Sequence, residues 1–398
     1  MKDLAYINFK EENSKAKNQF HNRLKNNGKL FKKLRETKNI SKDYMPDKEY
    51  SYKDFNVRIF GEHRIKGEEN FEEVSNKDII CSTFQNCKFN NMKFKDCKFI
   101  GCYFINCDFG SGGVAFENCI LFKEESDAIP SLNKNDNFSC IFKGCNIYGK
   151  FLNCLLNYAV FENCSIQNSN FNLTDMTSVI IKNSELNLTI IADTDLSGAK
   201  ILNTYIQDLE FRDKYISKMD EKTFVDKIKL RSKTRSEYEG IYMVYETLAN
   251  KFKGNQLNNN FGEYYYLAQK TKAKVLKPMP RIVSFLTWST CGYGERPIYA
   301  VYSSIIIILI FSVLYLGFGI DINGQLVNYY TIFNNFNLAE LKEYFNEAIN
   351  LSVGMFAGVG FNTAQPTASS YMVTNVEMLV GVAMMGIGIG AVTRKIIR

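Results

Sequence analysis

The sequence predicts a multidomain chain that joins a β-coil of five-residue period, an α-helical hairpin, and an all-α membrane domain of two helices bracketing a short re-entrant loop. Three observations predict it. Large apolar residues recur every five positions from Phe84 onward, a helical periodicity replaces that register after Asp213, and nearly all of the strongly apolar sequence lies after position 296. The resulting divisions are 1–78, a polar basic arm; 79–212, the coil; 213–280, the hairpin linker; and 281–398, the membrane domain.

A chain of 398 residues outgrows the single core that usually serves up to about 250 residues, so it is read in parts. The net charge of +7 and mean hydropathy of −0.21 resemble an ordinary soluble protein only because the average mixes two solvents. The Lys-, Asn- and Glu-rich start lacks the apolar stretch of about 7–15 residues that a signal peptide needs, so the arm and coil are expected in the cytoplasm. Disulfides are rare there, and no zinc-type Cys-x-x-Cys pair accompanies the eleven cysteines. The arm offers at most one amphipathic helix, through Phe20, Leu24, Leu30, Phe31 and Leu34. It reads as a solvated or partly unstructured cap, with a lipid or nucleic-acid contact as the other reading.

The five-residue register runs Phe84, Phe89, Phe94, Phe99, Phe104, Phe109 and breaks at the glycines near 110–113. After a polar insert at 123–137 it recovers and continues from Leu156 through Phe161, Ile166, Phe171, Met176 and so on to Phe211. Two positions before most of these residues stands a small side chain, such as Ser82, Cys87, Cys97, Cys154, Ala159 or Thr174. A period of five fits neither the 3.6 of a helix nor the 2 of a flat strand, so the chain turns a corner every five residues.

This pattern resembles the pentapeptide-repeat family over about 79–212. The resemblance implies a right-handed quadrilateral β-helix with the large residue and the small one two before it inside. Nine of the eleven cysteines (87, 97, 102, 107, 119, 140, 145, 154 and 164) fall on the small position and read as buried hydrophobes. Some soluble members mimic DNA with a strongly acidic surface; here 14 Asp and Glu stand against 10 Lys between 79 and 211, which favours a partner-binding or sensing face instead. No nucleic-acid partner is expected.

After the coil, Tyr238, Ile241, Tyr242, Tyr245, Leu248, Ala249 and Phe252 keep helical spacing, residues 254–260 make a turn, and Phe261, Tyr264, Tyr265, Leu267 and Ala268 start a second helix. This hairpin is expected to cap the coil.

In the last part, an interfacial helix is expected at 281–296, with Trp288 at headgroup level, and membrane spans at 297–320 and 371–393. The 22 residues of 299–320 carry no charge and reach about 33 Å as a helix, the thickness of a bilayer core. Lys272, Lys274, Lys277, Arg281 and Arg296 precede the first span and Arg394, Lys395 and Arg398 follow the second. The stretch between the spans holds only Lys342 against Asp321, Glu340, Glu343 and Glu347. Both termini are therefore expected inside and the connecting stretch outside.

That stretch, an outer loop and helix over 321–356, runs Phe345, Ala348, Ile349, Ser352, Val353 and Phe356 at helical spacing into Ala357-Gly358-Val359-Gly360-Phe361-Asn362. Non-helical backbone at membrane depth lines an aqueous path or is buried in protein. Backbone carbonyls on a glycine-rich strand suit a dehydrated cation. Here the chain resembles the potassium-channel pore-loop family over about 297–398, with 357–363 at the filter and Pro366 at that family's proline. The resemblance implies one quarter of a homotetrameric pore for K⁺, with Na⁺ also weighed because Gly358 stands at the filter Thr and Thr363 at the outer Asp. Asn362 occupies the second filter Gly and tolerates a left-handed backbone.

Thr363, Pro366 and Glu377 are the expected filter supports. Glu377, an acid within a span, reads either as a hydrogen-bond partner behind the pore helix or as a cavity-lining charge. Gly381 and Gly386 read equally as a gating hinge or as close-packing positions. Gly292-Tyr293-Gly294 imitates a filter triplet but precedes the first span, so it reads as a bend. The junction with Glu295-Arg296-Pro297 resembles one in bacterial pentapeptide-repeat channel proteins, which implies a bacterial inner membrane.

No catalytic constellation is found: the two histidines, His21 and His63, lie in the arm, and no phosphate loop, nucleophile motif or metal cluster appears. No cofactor is expected beyond a permeating ion. The functional expectation is a potassium-preferring cation channel in a lipid bilayer, whose cytoplasmic coil binds a regulatory ligand or protein. The alternative is a weakly selective pore or a membrane-anchored scaffold.

Overall fold

Residues 7–38, 40, 44–61, 71–110, 113–123, 138–334, 337–360 and 363–397 are described by the structure, a computed structural model. The chain forms two units, Tyr6–Lys272 and one built on Ala273–Arg398.

The first unit is a β-solenoid of about seven turns. A five-residue repeat closes a four-sided coil because each side ends in a left-handed corner. Asn86, Asn91, Asp96, Asn106, Asn163, Asn168, Asn183 and Asn203, each two places after a large interior residue, have φ of 46–55°. Asn and Asp tolerate this conformation better than other residues with a Cβ. All walls pair in parallel. One stacks Phe55, Phe84, Phe104, Phe142, Phe161, Ile181, Ile201 and Val225. The next stacks Phe60, Phe89, Phe109, Ile147, Ile166, Leu186 and Ile206. The third carries Val74, Phe94, Phe116, Phe151, Phe171, Ile191 and Phe211, and the fourth Ile79, Phe99, Leu121, Leu156, Met176, Leu196 and Met219.

The coil rise matches the spacing of paired strands, so rings of equal position stack. Phe104 and Phe142 have centroids 4.7 Å apart at 5°, and Phe142 and Phe161 4.8 Å apart at 8°. All nine cysteines at the small position are buried. Each thiol donates to the carbonyl of the large residue one coil back: Cys107 Sγ to Phe84 O at 3.1 Å, Cys145 to Phe104 O at 3.3 Å, Cys164 to Phe142 O at 3.4 Å. Further along, the Ser169 and Thr194 hydroxyls make the same bond, to Ile147 O and Phe171 O. The small position is thus a hydrogen-bond ladder as well as a steric slot.

The solenoid extends beyond 79–212 at both ends. It starts at Asp54–Asn56, paired with Thr83–Gln85, and finishes at Phe224–Val225. Non-repeat sequence after Phe60 and after Phe211 hid both ends.

The polar arm is also corrected. Helix α1, Phe9–Thr37, is capped by Asn8, whose side chain accepts the Glu11 N–H. Its stripe Ala16, Phe20, Asn27, Leu30 and Leu34 is buried along the outside of the solenoid. Phe20 packs on Ile141, Val160 and Ile180, Leu30 and Leu34 on Ile80 and Ile100, and Ala16 on Leu202 and Phe224. Those solenoid residues point outward, and α1 is what removes them from water. Arg23, partly buried in the same seam, donates to Tyr158 O and Ser178 O, and desolvation lowers its guanidinium to about 10.

Helices α2 (Arg235–Gly254) and α3 (Asn258–Lys272) form the expected hairpin. Glu237 ties down its entry by accepting the N–H groups of Arg231 (2.6 Å), Ser232 (3.1 Å) and Lys233 (2.5 Å). Ile241, Leu248, Phe252, Phe261 and Tyr264 join the core of the last coil with Ile206 and Leu209, closing its open end. Lys251 pairs with Asp213 there. Burial alone would raise the Asp213 carboxyl, but Lys251, Ser217 and backbone N–H donors outweigh it and hold the group at about 2.

The second unit comprises α4 (Pro278–Cys291), α5 (Ile298–Phe318), α6 (Tyr329–Asn334), α7 (Leu338–Ala357) and α8 (Tyr371–Ile397). It is not all-α. Strands Ile320–Ile322, Gln325–Val327 and Ala364–Pro366 form an antiparallel sheet. Asn323 (φ 54°) and Gly324 (φ 84°) make its two-residue turn. Helices α5 and α8 are long and apolar enough to cross a membrane, with mean hydropathies of 2.4 and 1.8. Only 11 % and 22 % of those stretches are buried in the chain, unlike core helices of a soluble protein. On α4, Met279, Ile282, Val283, Phe285 and Leu286 are exposed.

Candidate functional site

Helix α7 packs against both α5 and α8, and the glycine-rich loop follows its C-terminus. Ala357 is the last helical residue, and Gly358 caps the helix at φ +70° with its N–H on the Gly354 and Met355 carbonyls. Val359 N–H (3.0 Å) and Gly360 N–H (3.3 Å) also turn back to Gly354 O, and Gly360 has φ +91°. Both glycines use the left-handed region that only Gly enters freely. The Val359 side chain is exposed. Phe361 and Asn362 lie outside the described residues.

Beyond the loop, Thr363 Oγ1 donates to Glu347 Oε2 on α7 at 2.5 Å. Ala364 is buried, and Pro366 sits opposite Ile320 in the sheet. Thr367 Oγ1 donates to Gly319 O at 2.9 Å, fastening the loop exit to the end of α5. Gly358, Val359 and Gly360 on one side and Thr363 on the other are therefore each hydrogen-bonded back to α7.

Glu377 is fully buried behind α7. Tyr315 of α5 donates to Oε2 at 2.7 Å and Ser352 of α7 donates to Oε1. The acid thus joins three helices through two hydroxyl groups, the satisfaction a buried carboxylate needs. Four residues on, Gly381 touches the last turn of α7: a Cβ built there would lie 2.1 Å from Phe356 O. Beyond α8's own backbone, no atom of the described residues lies within 4 Å of a Cβ at Gly386, and α8 is helical through both glycines. Sequence reasoning missed Tyr315, Ser352 and Glu347 as partners, because none belongs to a local motif.

The Gly292-Tyr293-Gly294 bend lies between α4 and α5 with φ of 53°, 59° and 81°. Glu295, 1 % exposed, pairs with Arg394 near the C-terminus of α8 at 3.2 Å. Among the described residues, no cluster of three or more His, Cys, Asp or Glu suits a metal.

No protein-family model matches the chain, and no curated protein matches it. Among solved structures it is similar to a trypsin-treated variant of QnrB1, a plasmid-mediated fluoroquinolone resistance protein, at 14% identity over 45% of this chain and 91% of that one, with a TM-score of 0.20. Full-length QnrB1 gives 17% identity over 45% and 92%, with a TM-score of 0.13. HetL, a pentapeptide repeat protein involved in heterocyst differentiation regulation from the cyanobacterium Nostoc, gives 12% over 36% and 90%, with a TM-score of 0.08. At such values the solenoid rests on its own ladders and corners rather than on these likenesses.

Proposed function

We propose that the chain is one subunit of a homotetrameric, potassium-preferring cation channel of a bacterial inner membrane, with a cytoplasmic solenoid arm that senses a ligand or protein. The supporting observation is α7: a helix wedged between two exposed apolar helices and leading into a loop with two left-handed glycines, fastened at both ends. Four such loops around an axis would offer main-chain oxygens to a dehydrated cation. A weakly selective pore or a membrane-anchored scaffold is the second reading. It is favoured by the turn of Val359 and Gly360 back onto Gly354, which leaves this stretch of a single chain curled rather than extended.

Native mass of the detergent-solubilised particle and reversal potentials in K⁺/Na⁺ gradients separate them. Four copies and a potential near that of K⁺ are expected. A zero potential supports the unselective pore, and a monomer or dimer without current supports the scaffold.

A further inference from the structure

The bend at 292–297 has no place in ion conduction as proposed, yet its geometry is specific. Three consecutive residues take left-handed values, and one of them is Tyr293, a bulky residue for which this conformation is an outlier. The bend is over-determined by its surroundings. Ser284 Oγ of α4 and Tyr293 Oη lie 2.9 Å apart, Arg296 N–H bonds to Cys291 O, and a Cβ at Gly292 would lie 2.5 Å from Arg296 Cβ. A Cβ at Gly294 would approach Arg394 Nη1 to 3.1 Å, so glycine there lets the guanidinium of α8 sit on the bend. What the bend delivers is the Glu295 carboxylate, 1 % exposed, to a side chain near the last turn of α8.

We infer that the Glu295–Arg394 pair is a lock that holds the end of α8 against the start of α5 and sets the balance between closed and open pores. This rests on the channel reading above and adds its regulation. Displacing the end of α8 from α5 to widen the pore mouth pulls Arg394 off the Glu295 carboxylate. The described conformation is therefore the locked one.

The two partners are unequal: Glu295 is buried, while the Arg394 side chain is 40% exposed. Removing either side chain breaks the pair between the bend and the end of α8.

The test is single-channel recording of the full-length protein in bilayers with Arg394→Gln, Glu295→Gln and the exchanged pair Glu295→Arg with Arg394→Glu. The open-to-closed ratio is expected to rise about tenfold for Arg394→Gln and for Glu295→Gln, and to return toward the parent value in the exchanged pair. K⁺/Na⁺ reversal potential and native mass should not change, which distinguishes a lock from a general loss of structure. Single variants that gate like the parent, or an exchanged pair that gates like the single variants, overturn the lock. Absence of current in the parent overturns the channel reading itself. In that case the lock is judged from cysteine cross-linking of the two positions, which must form in the parent background for the contact to stand.

Discussion

Gly381→Ala is the sharpest single test of how the second unit is packed. The added methyl would sit 2.1 Å from Phe356 O and 2.9 Å from Phe356 C, both backbone atoms that no rotamer change can move aside. An ordinary contact needs about 3.4 Å or more, so α7 and α8 would have to part by roughly 1 Å at the turn that launches the glycine loop. Overpacking of this kind costs about 1–3 kcal/mol. Gly386→Ala, on the same helix with no other element of the described residues within 4 Å, should instead gain up to about 1 kcal/mol from helix propensity. Thermal unfolding of the detergent-solubilised protein should therefore move in opposite directions for the two variants. Ion flux through vesicles should fall for Gly381→Ala. Equal melting of Gly381→Ala and the parent would refute the close approach of Phe356. It would return Gly381 to the role of a hinge that tolerates a side chain.

Three other expectations are simpler to check. Phe142→Ala, in the middle of a ring stack, should lower stability of the first unit by about 3–5 kcal/mol in denaturant titration; a cost under 1 kcal/mol would mean the stack is loosely filled. Asp213 is held at about 2 against an ordinary value of 3.8, so its pair with Lys251 and its hydrogen bonds to Ser217 and backbone N–H groups together add stability above pH 4 that disappears as pH falls toward 2. The parent should lose about 2 kcal/mol more than Asp213→Asn over that window, and matching pH profiles would contradict the pairing. A double-mutant cycle of Ser352→Ala and Tyr315→Phe should show coupling of about 1 kcal/mol that vanishes in the Glu377→Ala background; additivity in the parent would separate the two hydroxyl groups.

The solenoid was legible because its interior spacing is written in large residues: from Phe84 to Phe109 every fifth residue is Phe, and an Asn or Asp falls two places after Phe84, Phe89, Phe94 and Phe104. What the periodicity did not reveal was α1 as a strap, because the arm was weighed by its own polarity. The signal lay in the repeats instead, where Tyr103, Ile141, Val160 and Ile180, each just before an interior residue on one wall, are apolar although they face outward. The small antiparallel sheet of the second unit escaped because three-residue strands are too short to show alternation. The Asn323-Gly324 pair, with the φ values of a tight hairpin, was the available sign. Glu377 was visible as an acid in an apolar run, but its partners sit 62 and 25 positions away, and only folding brings Tyr315 and Ser352 to it.

The strap also imposes an order of assembly. Ala16 rests on Leu202 and Phe224, residues of the final coils, while Leu34 near the other end of the same helix rests on Ile80 and Ile100 of the first ones. Helix α1 can therefore seat fully only after the whole stack exists, however early it is synthesised, and its loop-closure cost falls on the last step. A stack lacking its terminal coils would leave half of the helix without a surface and one wall wet, so the docked helix certifies that every coil is in place.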